Sequence, residues 1–125
     1  MRSLLTLIPR FKRTKILVVG DVILDEFIWG DVSRISPEAP VPVVVVNRKS
    51  AMPGGAANVA NNVRALGGRV IIAGITGDDA AALRLRGELR KRGVETSGLV
   101  ADAARPTTVK TRVVAQHQQV VRIDH

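Results

Sequence analysis

The stretch that decides the fold is Pro53-Gly-Gly-Ala-Ala-Asn-Val-Ala-Asn-Asn-Val-Arg-Ala-Leu-Gly-Gly68. Apolar side chains recur along it at helical spacing, at Ala56, Val59, Ala60, Val63 and Leu66. This spacing predicts a helix with one apolar face, which the glycine pair at its end terminates. Because residues 70–73 follow as a short apolar run ending at Gly74, we expect the helix to lead into a buried strand.

The segments on either side continue an alternation of strands and helices. Residues 15–21 form an apolar run that ends in Gly-Asp, which is typical of a buried parallel strand and its loop. Asp78 is expected to cap a second helix that runs to about Arg92, with Leu85 and Leu89 facing inward. Further strands are expected at residues 98–101, 107–115 and 119–123. The alternation predicts an α/β fold with a mainly parallel sheet flanked by helices.

A different pattern occupies about residues 25–47. Two apolar runs, 25–29 and 41–46, flank a loop, and proline stands at positions 37, 40 and 42. Since proline cannot donate to a sheet, these runs are expected to form short edge strands of a small β flap. The flat apolar edge at residues 43–46 would favour aggregation if left open, so we expect a homodimer formed through the flap strands.

Composition narrows the class of protein. The chain has 125 residues, a net charge of +8, 2% aromatic residues and no cysteine, so it holds one modest domain without disulfides or thiolate metal sites. The charge could serve nucleic acid, a membrane surface or an anionic substrate. The scarcity of aromatic side chains disfavours nucleic acid, and no apolar run is long enough to cross a membrane. We expect a cytoplasmic protein in which residues 1–14 form a basic N-terminal segment.

Candidate ligand-binding groups collect at the carboxyl ends of the predicted strands, where open α/β sheets bind ligands. Asp21 and the pair Gly54-Gly55 lie there, and the glycines permit close approach to bare backbone amides at a helix start. Asn58 falls in the first helical turn, where its amide can both donate and accept, as a sugar hydroxyl requires. On these residues alone, an ordinary tight turn with a local helix-start Asn explains the pattern equally well.

Two cations on a later strand are further candidates. Lys110 and Arg112 stand two residues apart on a predicted strand, so both side chains should face the same side. Two cations suit the phosphate of a sugar phosphate, and Arg can hold it bidentately. A solvated strand face explains the pair equally well. His117 and His125 have no partner spacing that indicates catalysis or a metal site.

The spacing Gly54-Gly55-Ala-Ala-Asn58-Val-Ala60, followed by Gly67 and Gly77, resembles the first motif of PfkB/ribokinase-type carbohydrate kinases. The flanking stretches are similar to the branch of this family that phosphorylates D-glycero-β-D-manno-heptose 7-phosphate at O1, using ATP and Mg²⁺, in ADP-heptose and lipopolysaccharide precursor biosynthesis. In many bacteria that kinase is one half of a bifunctional protein. The stretches that carry this similarity are residues 20–25, 29–42, 105–112 and 117–124.

The resemblance implies a ribokinase-like fold whose flap is a lid over the sugar. It implies that Gly54, Gly55 and Asn58 are sugar-site residues, and that Asp25 grips sugar hydroxyls. A carboxylate suits this task because it can accept hydrogen bonds from both hydroxyls of a vicinal diol. A surface aspartate is the alternative for Asp25, and Asp21 could bind sugar or cap its turn.

Family members carry an Asp-Thr-x-Gly-Ala-Gly-Asp type motif in their second half, which supplies the anion hole and the catalytic base. The sequence has no such motif and no Walker-type phosphate loop. We therefore expect an incomplete domain, with residues 15–125 as the N-terminal portion of a sugar kinase, lacking the main ATP and Mg²⁺ site and inactive alone. The alternatives are a non-catalytic sugar-phosphate-binding or dimerising module, a kinase for another sugar, and a nucleic-acid-associated protein, the last disfavoured.

Overall fold

The computed structural model describes residues 4–125. The chain begins with a 3-10 helix at Leu4–Arg13. The strands are β1 Lys15–Val19, β2 Val22–Ile35, β3 Pro42–Gly55, β4 Arg69–Thr76, β5 Glu95–Ala101, β6 Val109–Ala115 and β7 Gln118–Asp124. The α-helices are α1 Ala56–Ala65, between β3 and β4, and α2 Ala80–Lys91, between β4 and β5.

The core sheet is parallel, with the strand order β1-β4-β5. Its two crossovers are the helical segments that the sequence predicts. Both helices cover one face of the sheet, where the buried cluster includes Val70, Ile72, Leu85, Leu89 and Leu99. The expected inward positions of Leu85 and Leu89 are therefore confirmed.

The opposite face of the core sheet is apolar and exposed in this chain. Leu17 and Val19 of β1, Ile75 of β4 and Val100 of β5 all present large side chains there. Parallel sheets are ordinarily covered on both faces, which is why their strands are hydrophobic on both sides. The exposed side chains follow from that pattern.

The flap is larger than the sequence indicated. β2 and β3 are antiparallel strands of 14 residues each, not two short strands. They combine with β6, parallel to β2, and β7 in a four-stranded flap sheet of order β3-β2-β6-β7. β3 lies at the edge, as its prolines require. The base of β2 is buried in the core through Val22 and Leu24, whereas its outer end is exposed.

Two details of the helices differ from expectation. Asp79, not Asp78, caps α2: its carboxylate accepts a hydrogen bond from the Ala82 N–H at 2.8 Å, while Asp78 is exposed. The buried face of α1 is also rotated, because Ala57 and Ala60 are fully buried whereas Val59 is 51% exposed and Leu66 is likewise exposed. Small side chains face the sheet because the helix start lies close to it: a Cβ on Gly20 would meet the Ala56 Cβ at 3.2 Å.

Candidate functional site

The candidate site lies on the face of the flap sheet that carries Asp25. Asp25 of β2 pairs in register with Lys110 of the parallel strand β6, and Phe27 pairs with Arg112. The expectation that Lys110 and Arg112 face the same side is confirmed by these pairings, since alternate residues of a strand share a face. The structure thus brings the predicted sugar-binding carboxylate and the two predicted cations together.

Arg112 is held by Asp25. Its Nη1 lies 2.6 Å from Asp25 Oδ1, and the two side chains are 26% and 20% exposed. The guanidinium also lies over the Phe27 ring, 5.3 Å from the centroid, which is a cation–π distance. No residue within the described range 4–125 forms an ion pair with Lys110. Of the two cations, Lys110 is therefore the one without an ion pair among the described residues, although Asp25 and Asp124 are its register partners on the two neighbouring strands.

The glycine pair is required by the two aspartates. A Cβ on Gly54 would overlap the Asp25 carboxylate, falling 2.8 Å from its Cγ. Gly55 has a φ of +56°, which L-residues rarely adopt, and a Cβ there would fall 2.5 Å from the Asp21 carbonyl oxygen. The space that we expected to let a ligand approach the Gly54 backbone is thus occupied by Asp25.

The start of α1 completes the site. The Asp21 carbonyl accepts a hydrogen bond from the Ala56 N–H at 2.8 Å, which fixes the turn between β1 and β2 against the helix start. The N-cap residue is Gly55, so the first helical turn receives no side-chain cap. Asn58 lies in that turn and is exposed. Uncapped N–H groups and an exposed amide at a helix N-terminus can bind hydroxyl or anionic oxygens.

Asp21 belongs to an adjoining cleft. This cleft of about 210 Å³ lies at the carboxyl ends of β1 and β4, and Arg105 and Thr108 line it together with Asp21. Sequence reasoning missed both partners. The available signal was topological, because Arg105 and Thr108 lie in the loop that follows β5, at the same carboxyl edge.

Aromatic and cationic side chains extend the site outward along the flap sheet. Phe27 and Trp29 stack with their ring centroids 5.8 Å apart, and Arg48 of β3 lies 5.0 Å from the Trp29 ring. Trp29 Nε1 also donates to Ser50 Oγ at 3.2 Å. Sequence reasoning did not select these residues, although Phe27 and Trp29 alternate in step with Asp25.

Metal and membrane features can be assessed over residues 4–125. No three His, Cys, Asp or Glu side chains of that range lie close enough together to hold a metal ion. No helix in the same range has the length and apolar composition needed to span a bilayer.

Residues 13–124 match the pfkB family of carbohydrate kinases. The chain belongs to this family. Two similar relatives are each named bifunctional protein HldE. The one from Helicobacter pylori strain J99 is 51% identical over 110 residues, covering 88% of this chain and 24% of the relative. The one from Desulfatibacillum aliphaticivorans is 52% identical over 114 residues, covering 91% of this chain and 23% of the relative. The chain spans about a quarter of the length of these curated relatives.

Solved structures of pfkB-type kinases share the fold. A carbohydrate kinase from Agrobacterium tumefaciens superposes with a TM-score of 0.72 at 24% identity, covering 90% of this chain and 35% of that one. The Arabidopsis thaliana ribokinase, solved with ribose and ATP, gives a TM-score of 0.69 at 18% identity and the same coverage. The expected ribokinase-like α/β fold is confirmed.

Proposed function

We propose that this chain is the sugar-phosphate-binding part of a carbohydrate kinase that transfers the ATP γ-phosphate to O1 of a heptose 7-phosphate. We further propose that it does not catalyse this transfer alone. Relatives named bifunctional protein HldE, at 51% and 52% identity, support the heptose branch. The observation that carries the proposal is the cluster of Asp25, Arg112 and Lys110 beside the uncapped start of α1.

The proposed roles follow from the geometry. Arg112 holds Asp25 Oδ1, which orients the carboxylate and leaves lone pairs free to accept hydrogen bonds from sugar hydroxyls. Lys110, which forms no ion pair among the described residues, is the proposed partner of the phosphate that the sugar already carries. Asn58 and the first N–H groups of α1 are proposed to bind further hydroxyls, and Asp21 borders the same edge.

ATP with Mg²⁺ supplies the transferred phosphoryl group in the proposed reaction. The contribution that we propose for this chain is the binding and orientation of the sugar phosphate. Positioning alone contributes to phosphoryl transfer, because the reaction depends on alignment of the accepting hydroxyl and on charge stabilisation.

We also propose that a second copy of the chain covers the other face of the flap sheet. That face has an apolar groove of about 540 Å³ whose lining includes Ile28, Val44, Val46 and Val113. It continues to the open edge of β3, where Val46 is exposed. An apolar face next to an unpaired strand edge suits a self-complementary interface. Such an interface would bury the apolar side chains and pair the strand edge, both of which favour aggregation when exposed.

The test measures thermal unfolding of the 125-residue chain with heptose 7-phosphate, unphosphorylated heptose, inorganic phosphate and ATP in separate arms. We expect the sugar phosphate to raise the midpoint and ATP alone to leave it unchanged. Lys110→Met should weaken sugar-phosphate binding by about 10- to 100-fold, the loss of one charge-assisted hydrogen bond, while leaving any heptose binding intact. Asp25→Asn should weaken the binding of both heptose 7-phosphate and unphosphorylated heptose.

Lys49→Met is the matched control, because Lys49 is exposed and pairs in register with Ile28, on the opposite face of the flap sheet. Its ligand affinity should equal that of the wild type. Failure of every sugar phosphate to shift the wild-type midpoint would refute the proposal. A larger shift with another sugar phosphate would instead favour a kinase for another sugar.

A further inference from the structure

A buried polar clasp joins the loop before α2 to the loop before β6. We use the name clasp for Gly77, Asp79 and Thr107. Asp79 Oδ1 accepts from the Thr107 hydroxyl at 2.8 Å, and Asp79 Oδ2 accepts from the Thr107 N–H at 2.8 Å. The Thr107 hydroxyl in turn accepts from the Gly77 N–H at 2.9 Å. These bonds connect segments 28 to 30 residues apart in the chain.

The clasp leaves little freedom to its members. Thr107 is 2% exposed, and its hydroxyl both donates and accepts, so loss of that oxygen would leave the buried Gly77 N–H without its partner. A Cβ on Gly77 would fall 2.7 Å from the Arg105 carbonyl, the Thr107 nitrogen and Asp79 Oδ2. Gly77, the last glycine of the spacing that begins with Gly54-Gly55, is therefore needed for the two loops to meet.

The clasp leads directly into the candidate site. The residue after Thr107, Thr108, accepts a hydrogen bond from the Leu24 N–H at 3.0 Å. That bond begins the parallel pairing of β2 with β6, in which Lys110 lies beside Asp25. Lys110, the proposed phosphate-binding residue, therefore lies three positions after Thr107, and the backbone of Thr108 and Val109 between them is hydrogen-bonded.

A second contact ties the same strands to the same helix. Glu26 of β2 forms an ion pair with Arg84 of α2, and its other carboxylate oxygen accepts from Thr111 Oγ1 at 3.3 Å. Glu26 lies on the opposite face of β2 from Asp25. Helix α2 therefore contacts the base of the flap sheet both through the clasp and through Glu26, whereas the outer part of the sheet extends beyond it.

We propose that Asp79 and Thr107 are positioning residues for the sugar-phosphate site, because their clasp fixes the start of β6 on α2 and so holds Lys110 and Arg112 beside Asp25. This inference rests on the proposed function for its ligand. It assigns no catalytic contact to either residue. Their effect on the ligand passes through the backbone of β6.

The binding test compares two substitutions of one residue with a matched substitution elsewhere. Thr107→Val removes the hydroxyl at nearly constant shape, and Thr107→Ser retains it. Thr96→Val is the control, because Thr96 is also buried and its hydroxyl accepts from Arg90 Nε at 3.3 Å, but it lies in β5 of the core sheet and not in the flap sheet. We expect Thr107→Val to weaken heptose 7-phosphate binding about tenfold, with Thr107→Ser restoring most of the affinity and Thr96→Val leaving it unchanged.

A ligand-free measurement separates this inference from the proposed function. Amide hydrogen exchange should accelerate at residues 109–112 of β6 in Thr107→Val and not in Thr96→Val, while Trp29, the only tryptophan, reports any change at the flap by its fluorescence. Unchanged exchange at β6 in Thr107→Val, or equal effects of both valine variants on exchange or affinity, would overturn the inference. If the wild type binds no sugar phosphate, the proposed function fails and the exchange data alone decide whether the clasp positions β6.

Discussion

Substitution of Gly54 by alanine tests whether Asp25 occupies the place that the structure gives it. The added methyl group would overlap the Asp25 carboxylate and lie 3.3 Å from the Ile23 Cβ. Asp25 cannot move aside freely, because Arg112 holds its other oxygen at 2.6 Å. Since the φ of Gly54 is not positive, alanine suffers no backbone strain at this position. The contact between the new methyl group and Asp25 therefore decides whether the substitution stabilises or destabilises the fold.

The magnitude follows from the crowding. Inserting a methyl group into a packed site costs about 1–3 kcal/mol, and the reduced entropy of the unfolded chain offsets about 0.4–1 kcal/mol of it. We therefore expect a net loss of about 1–2 kcal/mol in the free energy of unfolding. For 125 residues, 1 kcal/mol corresponds to about 4 °C in Tm, so the midpoint should fall by about 4–8 °C.

Gly87→Ala is the matched control. Gly87 lies within α2, and a Cβ built there meets nothing within 4 Å. Alanine should stabilise the helix by about 0.5–1 kcal/mol and raise Tm by about 2–4 °C. Thermal unfolding compares the midpoints of the two variants, and a sugar-phosphate titration then compares their affinities. A Gly54→Ala chain that unfolds at or above the wild-type midpoint and binds the ligand equally well would refute the placement of Asp25.

Two further predictions concern assembly and pH. Val46→Lys, on the apolar flap face, should convert the dimer into a monomer, as measured by the sedimentation of the chain. Val59→Lys, at a similarly exposed position on α1, should leave the dimer intact. A wild-type chain that sediments as a monomer at high concentration would contradict the proposed dimer. Hydrogen bonds from the N–H groups of Thr107 and Ala82 hold the pKa of Asp79 below its ordinary value of 3.8. The contribution of Asp79 to the free energy of unfolding is therefore present above pH 3.8 and is lost as the pH falls through the lowered pKa. Denaturant titrations between about pH 5 and pH 2 should show a smaller acid loss in Asp79→Asn than in the wild type.

The layout of the core sheet could be predicted from sequence because each of its elements carries a local signal. The apolar runs at β1 and β4 and the periodic spacing in α2 depend on residues close together in the chain. The edge position of β3 could be predicted for an equally local reason, because proline has no N–H to donate to a second neighbouring strand. The buried face of α1 was harder to predict: hydrophobicity favoured Val59 and Leu66, but the short distance to the sheet selects Ala57 and Ala60.

The arrangement within the site depended on long-range pairing that no local pattern reveals. Arg112 and Asp25 are 87 residues apart, and only the parallel register of β2 with β6 brings them into contact. The choice between Asp78 and Asp79 as helix cap likewise depends on Thr107, 28 residues further along the chain, which binds only one of them. Adjacent aspartates give the same local signal, so the distant partner decides.

The two glycines and the arginine together favour the proposal that Asp25 binds sugar hydroxyls. Arg112 holds the Asp25 carboxylate in place through one of its two oxygens. The same carboxylate needs an adjacent residue without a side chain, which Gly54 provides. Gly55 then permits the positive φ that starts α1 beside it, where no side chain caps the first turn and the Ala56 N–H donates to the Asp21 carbonyl. Acceptor oxygens and donor N–H groups are thereby placed side by side, and a sugar hydroxyl, which both donates and accepts, requires that combination.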